Sequence, residues 1–220
     1  MKKLISASLM CADLTKLYDS VLSLEKAGID YLHIDIMDGC FVPNITLGFD
    51  LVNAIKKITD IPLDVHMMVK DPSRFIDRMN LGENDIISVH FEADENPQKT
   101  LELIRSKGCK AALAINPQTL LSVIEPFVKS IDMLLVMTVN PGFAGQKMFE
   151  GAQDKVRNAR LTLDEWGLEQ VPIQVDGNIS PENGRKLSRS GADIFVLGTS
   201  ALFMKDKSFE QAAADFRAAL

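Results

Sequence analysis

Gly28-Ile29-Asp30-Tyr31-Leu32-His33-Ile34-Asp35-Ile36-Met37 holds the signal that decides the fold: a glycine, an acidic residue two positions on, then an apolar run rich in β-branched residues. Glycine at that point suits the end of a helix, and the apolar run suits a buried strand. The same announcement recurs at Gly82-Glu83-Asn84-Asp85 and at Gly191-Ala192-Asp193, each ahead of another apolar run. Strand-like runs fall near residues 5–9, 31–36, 63–69, 86–91, 111–115, 133–139, 173–175 and 194–197. Segments of helical period lie between and after them, near 14–26, 49–57, 72–79, 97–107, 119–128, 150–165, 181–190 and 208–218. Pro72, Pro97 and Pro181 suit first helical turns, each close behind a residue able to cap.

Strict alternation of strand and helix requires parallel pairing through right-handed crossovers, and eight consecutive units close into an α/β architecture, the (β/α)8 TIM barrel. No linker divides the chain, so residues 1–220 are read as one domain. An open doubly wound sheet is the competing architecture, but no Gly-x-Gly-x-x-Gly follows the first strand. A 220-residue chain is long enough to bury about 70% of its extended surface, and to fold to an accessible surface of roughly 10,000 Å².

Composition excludes several classes: 46% hydrophobic and 25% charged residues argue against disorder and collagen. The longest apolar run elsewhere, 133–139, is far short of a membrane span. A net charge of −6 argues against nucleic acid and anionic membrane as partners, while leaving a local anion pocket open. Cys11, Cys40 and Cys109 have no paired spacing and read as reduced thiols of a cytoplasmic protein. The opening Met1-Lys2-Lys3-Leu4-Ile5-Ser6-Ala7-Ser8-Leu9-Met10-Cys11 imitates a lipoprotein leader, but its serines, its large Met10 and the following Asp13 point away from secretion.

In a parallel barrel, chemistry belongs at the C-terminal ends of the strands. His33 and Asp35 share one face of the second strand, followed by Met37; His66 and Met68 repeat the pattern in the third; Asp176 ends the seventh. Two imidazoles and two carboxylates suit a divalent transition metal, although histidines at such spacing also occur simply hydrogen-bonded in cores. His90, beside Glu92, reads as structural. Met37, Met68 and Met137 fit either core packing or an apolar ceiling over a reactive intermediate. Asn140-Pro141-Gly142-Phe143-Ala144-Gly145-Gln146 after the sixth strand, Gly177-Asn178 after the seventh and Gly198-Thr199-Ser200 after the eighth are loops where backbone amides can cradle a phosphate.

These residues also carry a resemblance. Leu32-His33-Ile34-Asp35-Ile36-Met37-Asp38-Gly39 with Phe41-Val42-Pro43-Asn44, Asp64-Val65-His66-Met67-Met68-Val69, Val136-Met137-Thr138-Val139-Asn140-Pro141-Gly142-Phe143 and Val175-Asp176-Gly177 resemble the ribulose-phosphate 3-epimerases and their relatives that act on allulose 6-phosphate. The resemblance covers nearly the whole chain. It implies one divalent metal (Zn, Fe, Mn or Co) held by His33, Asp35, His66 and Asp176, with Asp35 and Asp176 as the proton-transfer pair. It implies substrate contacts from Ser8, His66, Met37, Met68 and Met137. It further implies that Gly142, Phe143, Ala144, Gly145, Gly177, Asn178, Gly198 and Thr199 surround the phosphate. The implied activity is 3-epimerisation of ribulose 5-phosphate to xylulose 5-phosphate, in the pentose phosphate pathway, by a homo-oligomer.

The sequence departs from the commonest pattern at Asn178, Ala144, Thr199 and Cys40, and three of these lean toward the allulose-6-phosphate branch. Ile45-Thr46-Leu47-Gly48 looks like the pentulose enzymes, which keeps ribulose 5-phosphate in the lead. Decarboxylases and aldolases of the same superfamily carry Asp-x-Lys-x-x-Asp at the second strand, where Asp35-Ile36-Met37-Asp38 has methionine for lysine. A sugar-phosphate sensor without turnover is a remote alternative, disfavoured by the complete set of four ligands.

Overall fold

A computed structural model describes residues 2–220. Met1 of the leader-like stretch lies outside the described residues. The strands β1 (Leu4–Ser8), β2 (Tyr31–Met37), β3 (Leu63–Met68), β4 (Ile86–His90), β5 (Lys110–Ile115), β6 (Met133–Met137), β7 (Ile173–Asp176) and β8 (Ile194–Leu197) form a closed barrel in sequence order. Every pairing is parallel, including that of β8 with β1. All eight expected strands are present, with ends within two residues of the sequence reading. The accessible surface is 9934 Å², close to the size expected from chain length.

Helices α1 (Leu17–Lys26), α2 (Phe49–Ile55), α3 (Pro97–Ser106), α4 (Ala152–Glu165), α5 (Pro181–Arg189) and α6 (Phe209–Ala219) fill six of the eight expected helical positions. Asn96 and Ser180 cap α3 and α5 ahead of their prolines by accepting from Lys99 N–H and Asn183 N–H. The other two positions are 3₁₀ turns, at Pro72–Arg74 with Ile76–Arg78 and at Leu121–Phe127. Pro126 lies inside the latter, where it lacks an amide donor and its ring opposes an α-helix. The former is confined between Asp71, at φ 52°, and the Asn53 side chain, which bonds Arg78 O and Asn80 N–H. That leaves too few residues to offset the cost of nucleating a helix.

Alternate strand residues point in opposite directions. The outward set, such as Ile5, Leu32, Ile34, Val65, Leu113, Val136 and Phe195, packs against Leu24, Ile55, Ile104, Val156, Leu163 and Phe216 of the helices in one continuous annular core. Full burial of each such side chain stabilises the fold by about 1.5–3 kcal/mol. Inside the barrel, Ile86, Ala112, Met133 and Ile194 close the N-terminal end with Leu4 and Tyr31. Above that apolar plug the interior becomes polar: Ser6, His33, Asp64, Ser88 and Gln174 are completely buried. Gln174 on β7 donates to Asp64 Oδ2 on β3 at 2.5 Å, a contact that crosses the ring.

The acidic residues that announce strands have a structural reason. Asp30, Asp85, Asp132 and Asp193 precede β2, β4, β6 and β8, and each accepts the first amides of the strand before: Ile5 N–H at 2.9 Å, Leu63 N–H at 2.8 Å, Ala111 N–H at 2.9 Å and Ile173 N–H at 3.1 Å. Each also meets a cation, namely Arg217, Lys56, Arg105 and Lys3 respectively. A carboxylate hydrogen bond fixes strand register at the N-terminal rim, away from the end where chemistry is expected.

Candidate active site

His33 and Asp35 on β2, His66 on β3 and Asp176 at the end of β7 converge inside the C-terminal mouth. Each offers one ligand atom, and these atoms all lie within 4.8 Å of one another. His33 Nε2 is 3.2 Å from Asp35 Oδ1 and 3.8 Å from Asp176 Oδ2; His66 Nδ1 is 3.3 Å and 3.6 Å from the same two oxygens. The strand ends are held firmly. Thr46 donates to Asp35 O at 2.6 Å, and Thr138 donates through its hydroxyl to Asp176 O at 2.9 Å and to Gly177 O at 2.5 Å. Ser8 donates to Asp35 Oδ2 at 3.0 Å, leaving Oδ1 toward the imidazoles.

Behind the cluster, Asp64 Oδ2 meets His33 Nδ1 at 2.7 Å and also takes the Ser6 hydroxyl at 2.8 Å. His90, fully enclosed, meets His66 Nε2 at 2.8 Å through its own Nε2 and Glu92 Oε2 at 3.2 Å through Nδ1. Burial resists charge on His33, but the carboxylates of Asp64 and Asp35 outweigh it and hold the ring well above the usual imidazole range. Burial likewise resists charge on His66, and Asp176 with Asp35 raises it. Burial would raise Asp35, yet the His33 and His66 rings drive it far below the usual carboxylate range. Burial pushes His90 down to about 4. Burial opposes ionisation of Glu92, but His90, the Thr119 hydroxyl and the Asn116 amide bring it to about 2. The centre thus attracts positive charge between its carboxylates, while the ring behind it stays neutral.

The donor set fits a divalent metal on one specific ground. His33 Nε2 is buried with no hydrogen-bond partner, although its other nitrogen is engaged by Asp64. An imidazole oriented from behind by a carboxylate, with its free nitrogen facing two further carboxylates, is an arrangement that metal-binding histidines use.

A cleft opens to solvent above this floor. Ser8, Asp35 and Asp176 line it, together with Met37, Met68 and Met137. Its rim includes Gly142, Phe143, Ala144 and Gly145 after β6, then Gly177 and Asn178, and Gly198 with Thr199. The β6 loop is tied down: Asn44 Nδ2 donates to Gly142 O at 2.8 Å, and Gln146 Nε2 donates to Asn140 O at 2.6 Å and Phe143 O at 2.9 Å. Phe143 itself is half exposed over the opening. Asn178 adopts φ 53°, a left-handed conformation that asparagine tolerates better than most residues, and Asn183 Nδ2 bonds its carbonyl at 2.8 Å. His66, expected to touch substrate as well, does not line the cleft; it is fully buried behind Asp35 and Asp176.

Met10 and Cys11, on the 3₁₀ turn after β1, line the cleft without having been assigned to it from the sequence. Asp64, bonded to His33, and Gln174, bonded to Asp64, are further partners of the site not expected from the sequence. Asp64 carried a usable signal, since it lies two residues before His66 and so shares its inward face.

The fold and this centre define a (β/α)8-barrel enzyme whose carboxylates and imidazoles meet at the mouth of the barrel. The profile of the ribulose-phosphate 3-epimerase family matches residues 4–203, and the chain belongs to that family. It is 39% identical over 203 residues to ribulose-phosphate 3-epimerase of Bacillus subtilis (strain 168), covering 92% of this chain and 94% of that one. It is 38% identical over 201 residues to ribulose-phosphate 3-epimerase of Escherichia coli (strain K12), covering 91% and 88%. Among solved structures, thiamine phosphate pyrophosphorylase from Pyrococcus furiosus superposes with a TM-score of 0.66 at 14% identity, over 99% of this chain and 94% of that one, which shows the shared barrel. None of the described helices is long and apolar enough to cross a membrane.

Proposed function

We propose that this protein is a cytoplasmic ribulose-phosphate 3-epimerase that interconverts D-ribulose 5-phosphate and D-xylulose 5-phosphate, with one divalent metal at His33, Asp35, His66 and Asp176. The observation that carries the reading is the gathering of those four ligand atoms within 4.8 Å at the floor of an open cleft, in a chain of this family. The donors suit Zn²⁺, Fe²⁺, Mn²⁺ or Co²⁺. Such an ion supplies Lewis-acid stabilisation of the negative charge that develops on substrate oxygens.

The remaining work falls to the chain. Inverting C3 requires a proton to leave one face and another to arrive on the opposite face, so two acid/base groups are needed. Asp35 and Asp176 come from β2 and β7, which are separated around the ring by β8 and β1. Each is anchored by its strand and by a threonine, and each borders the cleft. In turn, one removes the C3 proton as base while the other delivers a proton as acid. Ser8, bonded to Asp35 Oδ2, orients that carboxylate. Met37, Met68 and Met137 form an apolar, sulfur-bearing surface that carries no exchangeable proton and so protects the enediolate from unselective protonation. The loops at 142–145, 177–178 and 198–199 present backbone to the phosphate, and Phe143 closes over it.

The hexulose alternative is not favoured. The named relatives are ribulose-phosphate 3-epimerases, and Asn178 takes a backbone path open to glycine, so it need not mark a different sugar. Proton NMR in D₂O with ribulose 5-phosphate and allulose 6-phosphate in parallel tests the reading. Faster C3 deuteration and epimer formation with the pentulose are expected; faster conversion of the hexulose would overturn the substrate assignment, and exchange with neither would overturn the activity.

A further inference from the structure

One fully enclosed titratable side chain is left unused by this chemistry. His90 ends β4, with its Nε2 2.8 Å from His66 Nε2 and its Nδ1 3.2 Å from Glu92 Oε2. The His66 and His90 ring centroids are 5.0 Å apart and their planes differ by 26°. With so short a nitrogen–nitrogen gap, the rings meet edge to edge, as an N–H···N hydrogen bond requires. Phe41 packs on His90 from another side, with centroids 4.9 Å apart, and fixes the ring.

We propose that Glu92 and His90 are positioning residues that fix the proton of His66 on Nε2, so that Nδ1 presents its lone pair to the centre shared with His33, Asp35 and Asp176. This rests on the metal-site reading above. An ionised Glu92 can only accept, and its Oε1 is occupied by Asn116 N–H at 2.8 Å and by the Thr119 hydroxyl. Its Oε2 therefore receives the proton of His90 Nδ1. A neutral imidazole has a single N–H, so His90 Nε2 is bare and must itself receive. The donor facing it is His66 Nε2.

His66 Nδ1, 3.3 Å from Asp35 Oδ1 and 3.6 Å from Asp176 Oδ2, then has a lone pair to offer a cation bound at this electron-rich centre. His33 reaches the same state from the other nitrogen: its Nδ1 is held by Asp64, and its Nε2 faces the centre. The two imidazoles thus address one point with opposite nitrogens, one ordered directly by Asp64 and the other by Glu92 through His90.

The test reads tautomers and affinity rather than turnover. Long-range ¹H–¹⁵N spectra of the zinc-loaded protein are expected to show His90 protonated on Nδ1 and His66 on Nε2. Zinc affinity by chelator competition is expected to fall about 10–100-fold in His90→Leu, the range for lost outer-shell partners of metal ligands. His90→Gln, whose carbonyl oxygen can still accept from His66 Nε2, is expected to recover most of that loss. Glu92→Leu frees His90 to turn its proton toward His66 and is expected to lower zinc affinity as well. Zinc binding with His90 protonated on Nε2, or unchanged affinity in His90→Leu, would overturn the proposal. A wild-type protein that binds no divalent ion would instead overturn the metal-site reading on which it rests. The wild-type spectrum decides even where a variant fails to fold.

Discussion

Replacing Gly177 with alanine is expected to disturb the end of β7 more than the size of one methyl group suggests. Gly177 adopts φ 120°, and a Cβ there would lie 2.6 and 2.8 Å from the Val139 methyls and 2.9 Å from the Val139 backbone nitrogen. Comfortable carbon–carbon contact is about 3.5–4.0 Å, so the methyls must retreat by roughly an ångström, and the backbone nitrogen cannot. A backbone conformation reserved for glycine costs about 1–3 kcal/mol and overpacking a filled site about 1–3 kcal/mol, giving about 2–6 kcal/mol in all. Urea unfolding of Gly177→Ala should show a lowered midpoint with an unchanged slope. kcat/KM should fall with it, because Asp176 is the preceding residue. Adding Val139→Ala removes the methyl contacts but neither the backbone contact nor the φ, so a double-mutant cycle should return a coupling of about 1–3 kcal/mol. Stability of Gly177→Ala within about 0.5 kcal/mol of wild type, the range of ordinary surface substitutions, would refute the reasoning, as would a cycle with no coupling.

Asp35→Asn and Asp176→Asn should each lower epimerisation by about 10²–10⁴-fold or more, as expected when a positioned acid/base group is lost, with an unchanged circular dichroism spectrum; near-normal turnover in either would defeat the two-base reading. Chelation should abolish turnover, and Zn²⁺, Fe²⁺, Mn²⁺ or Co²⁺ should restore it; full activity in protein shown metal-free by elemental analysis would contradict the metal assignment. Asp85→Ala strands the buried Leu63 amide, and should cost about 1–3 kcal/mol in urea unfolding while leaving the rate constants of the folded enzyme unchanged. Glu92 is lowered from 4.5 to about 2 by its donors, so its contribution to stability is complete above about pH 4.5 and is lost as pH falls toward 2; Glu92→Gln should flatten that part of the unfolding-midpoint profile.

The strands and the ligand cluster were legible because both depend on a period of two. His33 and Asp35 had to share a face, and the parallel β2/β3 register then sets Asp35 beside His66. What escaped depended on partners distant in sequence. Asp64 looks like one more strand residue until Gln174, 110 positions away, reaches across the ring to it. His90 was read as structural, and only the edge-to-edge approach of its ring to His66 gives it a part in the site. The helices expected at 72–79 and 119–128 give way for two different reasons: Pro126 interrupts one locally, and the side chain of Asn53, 25 residues before Arg78, terminates the other by taking its end groups.

The aspartates at the base recur at every second strand, so this barrel counts in twos. Its repeating piece is a quarter of two strands with the connections that follow them, whose leading strand is clasped by the carboxylate ahead of the next. Arg217 reaching Asp30, and Asp193 holding Lys3, join the last quarter to the first. Chimeras that exchange whole quarters with a relative would keep every clasp within its own segment, whereas an exchange that begins or ends between β1 and β2, or between β3 and β4, would separate an amide from its acceptor. The natural joints for recombining this chain therefore lie after the even-numbered strands.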